Sequence, residues 1–206
     1  MFFQIHELNP QDRLIQQVVD GLLQGQTVVY PTDSGYALGC ALGNKSALDT
    51  IRSIRRLDQK HNFTLMCRDL SEISHYARVE NNEYRLIKSL TPGPYTFILP
   101  ATREVPKRLL HPKKKTIGIR VPDNRIAMAM LAAIGEPIMS VSLIMPGEDM
   151  VMTDPYDIRD TLSNQVDMII DGGYCGYEPT SVLDLSSDQA ELIRQGAGSV
   201  AFLESE

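Results

Sequence analysis

The stretch Pro31-Thr32-Asp33-Ser34-Gly35-Tyr36-Ala37-Leu38-Gly39-Cys40 constrains this chain more than any other. The run before it, Thr27-Val28-Val29-Tyr30, has the length and composition of a buried strand. Pro31 cannot donate to a ladder, so the strand is expected to stop there. Three short oxygen-bearing side chains, Thr32, Asp33 and Ser34, then crowd the strand exit. Gly35 and Gly39 permit backbone approaches that a Cβ would block. Open α/β sheets bind ligands beyond strand ends in such places, although an ordinary solvated turn uses the same residue types.

The rest of the chain alternates the two periodicities. Asn9-Pro10 reads as a cap and first-turn proline before Leu14, Val18, Val19, Leu22 and Leu23, a helix ending near Gly25. A second apolar piece runs from Tyr36 to Leu42. Asn44 then caps a helix whose Ala47, Leu48, Ile51 and Ile54 sit at helical spacing. Strands are expected at 63–67, 95–99, 117–121, 137–142, 167–170, 181–184 and 190–194. Helices are expected at 69–77, 81–90, 124–134 and from Asp154-Pro155 onward. This alternation predicts an α/β fold. Pro146 to Thr153 is too short a linker to divide the chain, so residues 1–206 read as a single domain.

At 206 residues and 43% hydrophobic, the chain can bury a sizeable core. No apolar run approaches the roughly 20 residues of a membrane helix. Met1 to Pro10 lacks the basic and apolar regions of a secretory signal. Cys40, Cys67 and Cys175 are odd in number and far apart, which suits reduced thiols and a cytoplasmic protein. They and four scattered histidines offer no zinc spacing. The net charge of −6 conceals an asymmetry. Residues 1–145 hold 18 Lys/Arg against 13 Asp/Glu, whereas residues 146–206 hold 2 against 13. The cations cluster at Arg52, Arg55, Arg56 and Lys60, and again at Arg103, Lys107, Arg108 and Lys113-Lys114-Lys115. Such clusters serve as solvated faces or as electropositive surfaces for phosphates.

Familiar phosphate motifs are absent or false. There is no Gly-x-x-x-x-Gly-Lys-Ser/Thr loop. Gly196-Ala197-Gly198-Ser199-Val200-Ala201 mimics a dinucleotide fingerprint, but only five residues follow it, too few for the helix and strand that motif needs.

The 31–40 segment resembles, without a gap, the PTDTVYGLG signature of the YrdC/YciO family. Pro92-Gly93-Pro94-Tyr95-Thr96, Gly118-Ile119-Arg120-Val121-Pro122-Asp123 and Pro179-Thr180-Ser181-Val182-Leu183-Asp184 resemble further family segments in the same order. The resemblance implies a single twisted, mixed open sheet with flanking helices and a concave basic face. It also implies synthesis of threonylcarbamoyl-AMP from ATP, threonine and bicarbonate, releasing pyrophosphate, on the way to a modified tRNA adenosine. ATP with Mg²⁺ would be a substrate; no zinc or organic cofactor is expected.

By that resemblance Thr32, Arg120, Ser140 and Ser181 fall on substrate-side positions, Arg120 as a bidentate partner for the amino-acid carboxylate. Arg55, Arg56, Thr116, Ser142 and Arg194 fall on the nucleotide side. Two departures stand out. The Lys-x-Arg motif of the synthases becomes Arg55-Arg56-Leu57, and their Ser-x-Asn becomes Ser142-Leu143-Ile144. Each lost charge-assisted bond costs roughly 1.5–3 kcal/mol. Lys60 and His61 are local polar groups that offer compensation. Two readings therefore stand side by side: a divergent synthase, weak or acting on an altered substrate, and a non-catalytic binder of nucleotide, double-stranded RNA or tRNA.

Overall fold

A computed structural model describes residues 1–58, 61, 63–187 and 189–204. Ten strands form a single mixed sheet: β1 (Phe2–Gln4), β2 (Val28–Thr32), β3 (Gly35–Ala41), β4 (Thr64–Met66), β5 (Tyr95–Pro100), β6 (Thr116–Arg120), β7 (Ile138–Ser142), β8 (Met168–Asp171), β9 (Ser181–Asp184) and β10 (Glu191–Arg194). Their order across the sheet is β1-β8-β2-β3-β7-β4-β6-β5-β9-β10. Six α-helices accompany it among the described residues: α1 (Asp12–Leu23), α2 (Lys45–Arg55), α3 (Leu70–Tyr76), α4 (Asn81–Leu90), α5 (Arg125–Ile134) and α6 (Pro155–Leu162).

The two sheet faces are covered unequally, and this imbalance creates the site. On one face Val29, Leu38, Leu65, Phe97, Ile119, Met139 and Leu183 meet Leu48 and Ile51 of α2, Ile73 of α3, Ile87 of α4 and Ile158 of α6. On the other, Val28, Tyr30, Met66, Ile138 and Met168 are covered by Val18 and Leu22 of α1 and Ile126 and Met130 of α5. That second cover stops partway. Beyond it the same face carries Ser140, Ser142, Thr64, Gly118, Thr96 and Thr180, small or hydroxylated residues that tolerate solvent.

The sheet is also curled. Thr32 on β2 and Arg120 on β6 sit four strands apart, about 19 Å in a flat sheet. Arg120 Nη2 nevertheless lies 3.4 Å from Thr32 Oγ1. The open part of the face is therefore the floor of a cleft.

Local chemistry explains the element ends. Asn44 and Asn124 accept the N–H groups of Ala47 and Ala127 and start α2 and α5. Gly135 ends α5 in the left-handed region at φ 74°. Two expectations need correction. Pro31 does not stop β2; it pairs with Tyr36 within the β2–β3 hairpin, beyond Val29, the last residue paired with β8. The Tyr36 N–H turns away from β2 to Met152 O, so Pro31 occupies a rung without mutual bonds and its missing donor costs nothing. Asn9-Pro10 does not open α1, whose N-cap is Gln11. Instead His6 Nδ1 accepts the N–H groups of Leu8 and Asn9 and holds that segment as a turn. Strand β1 has no pattern in the sequence to announce it. It owes its place to parallel pairing with β8.

Candidate functional site

The cleft has an inner and an outer chamber that share Thr64, Thr96, Val141, Ser142 and Thr180. The inner one, about 30 Å³, is also lined by Thr32, Tyr36, Met66, Arg120 and Ser140. Strand alternation puts Tyr30 and Thr32 on this face, and Tyr30 Oη donates to Ser140 Oγ at 2.8 Å. Burial pushes the Tyr30 hydroxyl well above the usual phenol range, so it stays protonated. Thr32 Oγ1 donates to Gly35 O at 2.6 Å and accepts the Ser34 N–H at 3.1 Å, which fixes the hairpin turn. Arg120 projects from the end of β6 into this chamber and forms an ion pair with Asp33.

The outer chamber, about 480 Å³, mixes charge with aliphatic surface. Arg55, Asp58, His61 and Arg194 supply the polar groups; Ile98, Ile144, Val182 and Ile193 supply the apolar ones. Arg55 comes from the last turn of α2, and its buried Nε has no hydrogen-bond partner among the described residues. Burial lowers its pKa, yet a guanidinium stays charged at neutral pH. Arg194 lies on the exposed edge strand β10 and turns its half-buried guanidinium toward Thr180. Burial, and then the nearby Arg120, lower its pKa in turn. Burial and next Arg55 depress the His61 imidazole, which favours the neutral ring. Gly118 forms part of the floor. A Cβ there would stand 2.8 Å from Thr64 Oγ1 and 3.0 Å from Phe63 O, so only glycine permits this approach of β6 to β4.

The structure brings Thr32, Arg120, Ser140, Ser142, Arg55, His61 and Arg194 to this cleft. The other candidates lie elsewhere. Ser181 faces the opposite side of β9, where its Oγ donates to Gly198 O at 2.5 Å and accepts the Gly196 N–H at 2.9 Å. Its neighbour Thr180 is the residue that lines both chambers. Arg56 ends α2 in the left-handed region at φ 49° and lies outside the lining. Thr116 shares the face of Gly118 and Arg120 one rung beyond the chamber, buried, with its Oγ1 unpartnered among the described residues. Lys60 falls outside the described residues. Leu57, on the position of the second synthase cation, packs against the main core. Ile144 does line the outer chamber.

Sequence reasoning placed Asp33 at the strand exit but not its pairing with Arg120, and it missed Thr64, Thr96, Thr180 and Asp58 as lining residues. Thr64 and Thr96 were accessible to it in principle, being polar residues at inward positions of otherwise apolar strands, whereas Thr180 stands just before β9. No group of three or more His, Cys, Asp or Glu placed to hold a metal occurs among the described residues. No helix among them is long and apolar enough to cross a membrane.

Comparison with known proteins assigns this architecture to a class. Residues 20–196 match the profile of the Sua5/YciO/YrdC domain, described as telomere recombination. YciO of Escherichia coli K12 is 56% identical over 199 residues, covering 97% of both chains. The crystal structure of E. coli YciO superposes with a TM-score of 0.95 over 97% of each chain. A threonylcarbamoyl-AMP synthase of Vibrio vulnificus is 27% identical over 186 residues, covering 88% of this chain and 98% of its own. Sua5 of P. abyssi, solved with L-threonine, shares the fold at a TM-score of 0.91 and 22% identity, over 99% of this chain and 60% of that one. The chain belongs to the Sua5/YciO/YrdC family.

Proposed function

We propose that the protein is a divergent threonylcarbamoyl-AMP synthase, joining threonine, bicarbonate and the AMP moiety of ATP with release of pyrophosphate, as a step toward a modified tRNA adenosine. The observation that carries this reading is the division of one cleft into an inner chamber around Arg120 and an outer one flanked by Arg55 and Arg194. The 27% identity to the Vibrio synthase over 88% of the chain supports it.

In this reading Arg120 and Thr32 receive the amino-acid end, with Thr96, Thr180 and Ser140 as nearby hydroxyls. Arg55 and Arg194 face the phosphates, where negative charge gathers as pyrophosphate departs. Their contribution is positional: fixed cations at the edge of a partly dry cleft stabilise that charge without reorganising. Ile98, Val182 and Ile193 offer apolar surface to the adenosine. A Mg²⁺ carried by ATP would neutralise phosphate charge and would draw most of its ligands from the phosphates and water. Asp58, the only carboxylate among the described residues lining the cleft, would be the residue to hold that ion. The two departures point to weaker nucleotide binding than in relatives carrying both polar groups. The reading is tested by threonine- and bicarbonate-dependent pyrophosphate release from ATP. Release that needs all three substrates supports it; release indifferent to threonine refutes it.

A second reading rests on a different surface. Arg52 Nη2 donates to Arg108 O at 3.4 Å, and Arg108 in turn donates to Gly43 O, which joins the two basic clusters into one surface. Duplex RNA or tRNA binding there would weaken steeply with salt and track shape rather than sequence. Neutralising Lys107, Arg108 and Lys113 together should reduce it, and unaltered binding would count against it.

A further inference from the structure

The inner chamber is small, and the Arg120 guanidinium that lines it is already engaged by a carboxylate of the chain itself. Its volume of about 30 Å³ suits a water molecule, not an amino acid. The Arg120 and Asp33 side chains are only 6% and 12% exposed, so their ion pair is largely dry. The pairing is also incomplete. Arg120 Nη2 carries the contact to Asp33 Oδ1, while Arg120 Nε and Asp33 Oδ2 are buried with no hydrogen-bond partner among the described residues. A guanidinium and a carboxylate that met in the fork-to-fork manner would satisfy both atoms. A buried pair engaged through one contact and leaving two polar atoms orphaned is poorly optimised as a permanent structural tie.

We propose that Asp33 is an internal occupant of the Arg120 carboxylate subsite, and that a ligand carboxylate enters by displacing it. The inference rests on the reading of Arg120 as the amino-acid anchor and adds a competitor to it. Asp33 lies in the two-residue connection between β2 and β3, outside both strands, so turning its side chain away from Arg120 breaks no strand pairing of β2 or β3. The turn is bordered by the 172–180 connection: a Cβ on Gly35 would meet Gly176 O at 2.9 Å, and one on Gly176 would lie 3.6 Å from Asp33 O. Release of Asp33 would therefore be felt by that connection as well. The device keeps a dry cation neutralised when no substrate is present. It also makes an incoming ligand compete with a carboxylate already held at high effective concentration, so that weak or poorly shaped acids are rejected.

Anion rescue tests this without ATP or threonylcarbamoyl-AMP. Melting temperatures of the wild type, Asp33→Ala and the Asp33→Ala/Arg120→Ala double variant would be followed against sodium formate, with sodium chloride at matched ionic strength. Formate should raise the melting temperature of Asp33→Ala selectively, and the rise should vanish in the double variant. Equal responses in all three proteins, or none, would overturn the proposal. Should Asp33→Ala fail to fold, Asp33→Asn keeps the side-chain volume. Calorimetry should then show L-threonine, or acetate in its place, binding Asp33→Asn at least tenfold more tightly than the wild type. Unchanged or weaker binding of both acids would show that Asp33 only positions Arg120, which also overturns it. Rescue by formate without any synthase activity would leave the displaceable carboxylate standing and remove the reaction.

Discussion

Arg194 donates through Nε and Nη2 to the carbonyl oxygen of Thr180, at 3.0 and 2.9 Å, and again through Nη2 to Thr180 Oγ1 at 3.3 Å. One side chain thus ties the edge strand β10 to one of the five residues that line both chambers. A lysine keeps the charge but not the planar fork. Arg194→Lys should weaken nucleotide binding by about 1.5–3 kcal/mol, roughly ten- to hundredfold. Titration calorimetry with ATP would measure it, and unchanged affinity would show that the charge alone suffices.

Gly118→Ala should disturb the floor. The added methyl would press on Thr64 Oγ1 and the Phe63 carbonyl, and the carbonyl is backbone that cannot step aside. Overpacking of this kind costs about 1–3 kcal/mol. A lowered denaturation midpoint together with weaker nucleotide binding is the expected result.

The two departures from the synthase motifs should behave differently when reversed. Ile144 faces the outer chamber, so Ile144→Asn should strengthen ATP binding by up to about 3 kcal/mol if a phosphate or base comes within reach. Leu57 packs on the main core, so Leu57→Arg should instead destabilise the fold by about 0.5–3 kcal/mol with no gain in affinity. Parallel melting and binding curves separate the two effects.

His61 gives a pH signature. Burial, then Arg55, lower its pKa below the ordinary 6.5, so the unfolded chain takes up this proton before the folded one does. Its neutral form therefore favours the fold fully above pH 6.5, and that contribution falls away as pH drops below this value toward the folded pKa. His61→Gln should flatten the stability–pH curve over that acidic window. A curve as steep as the wild type would place the titration elsewhere.

Much of the fold was legible from sequence because its signals are local. Asn44 announces α2, and the strands expected at 117–121 and 137–142 around a helix at 124–134 are β6, β7 and α5. What remained hidden depends on register and topology. Polar residues at strand ends become neighbours only through curling: Arg120 meets Asp33 across four strands, and no spacing in the chain encodes that distance. Thr180 and Ser181 illustrate the register limit. They are adjacent hydroxyl residues in one motif, but the pleat sends one into the cleft and the other toward Gly196 and Gly198. Pro31 illustrates the topological one, since its place within β2 depends on where β8 stops pairing.

The most direct measurement is mass-spectrometric detection of threonylcarbamoyl-AMP from ATP, threonine and bicarbonate, run beside Arg120→Ala. Product above background with the wild type and none with the variant is the expected result. Absence of product from a folded wild-type protein, or product undiminished by loss of Arg120, would contradict the assignment of this cleft.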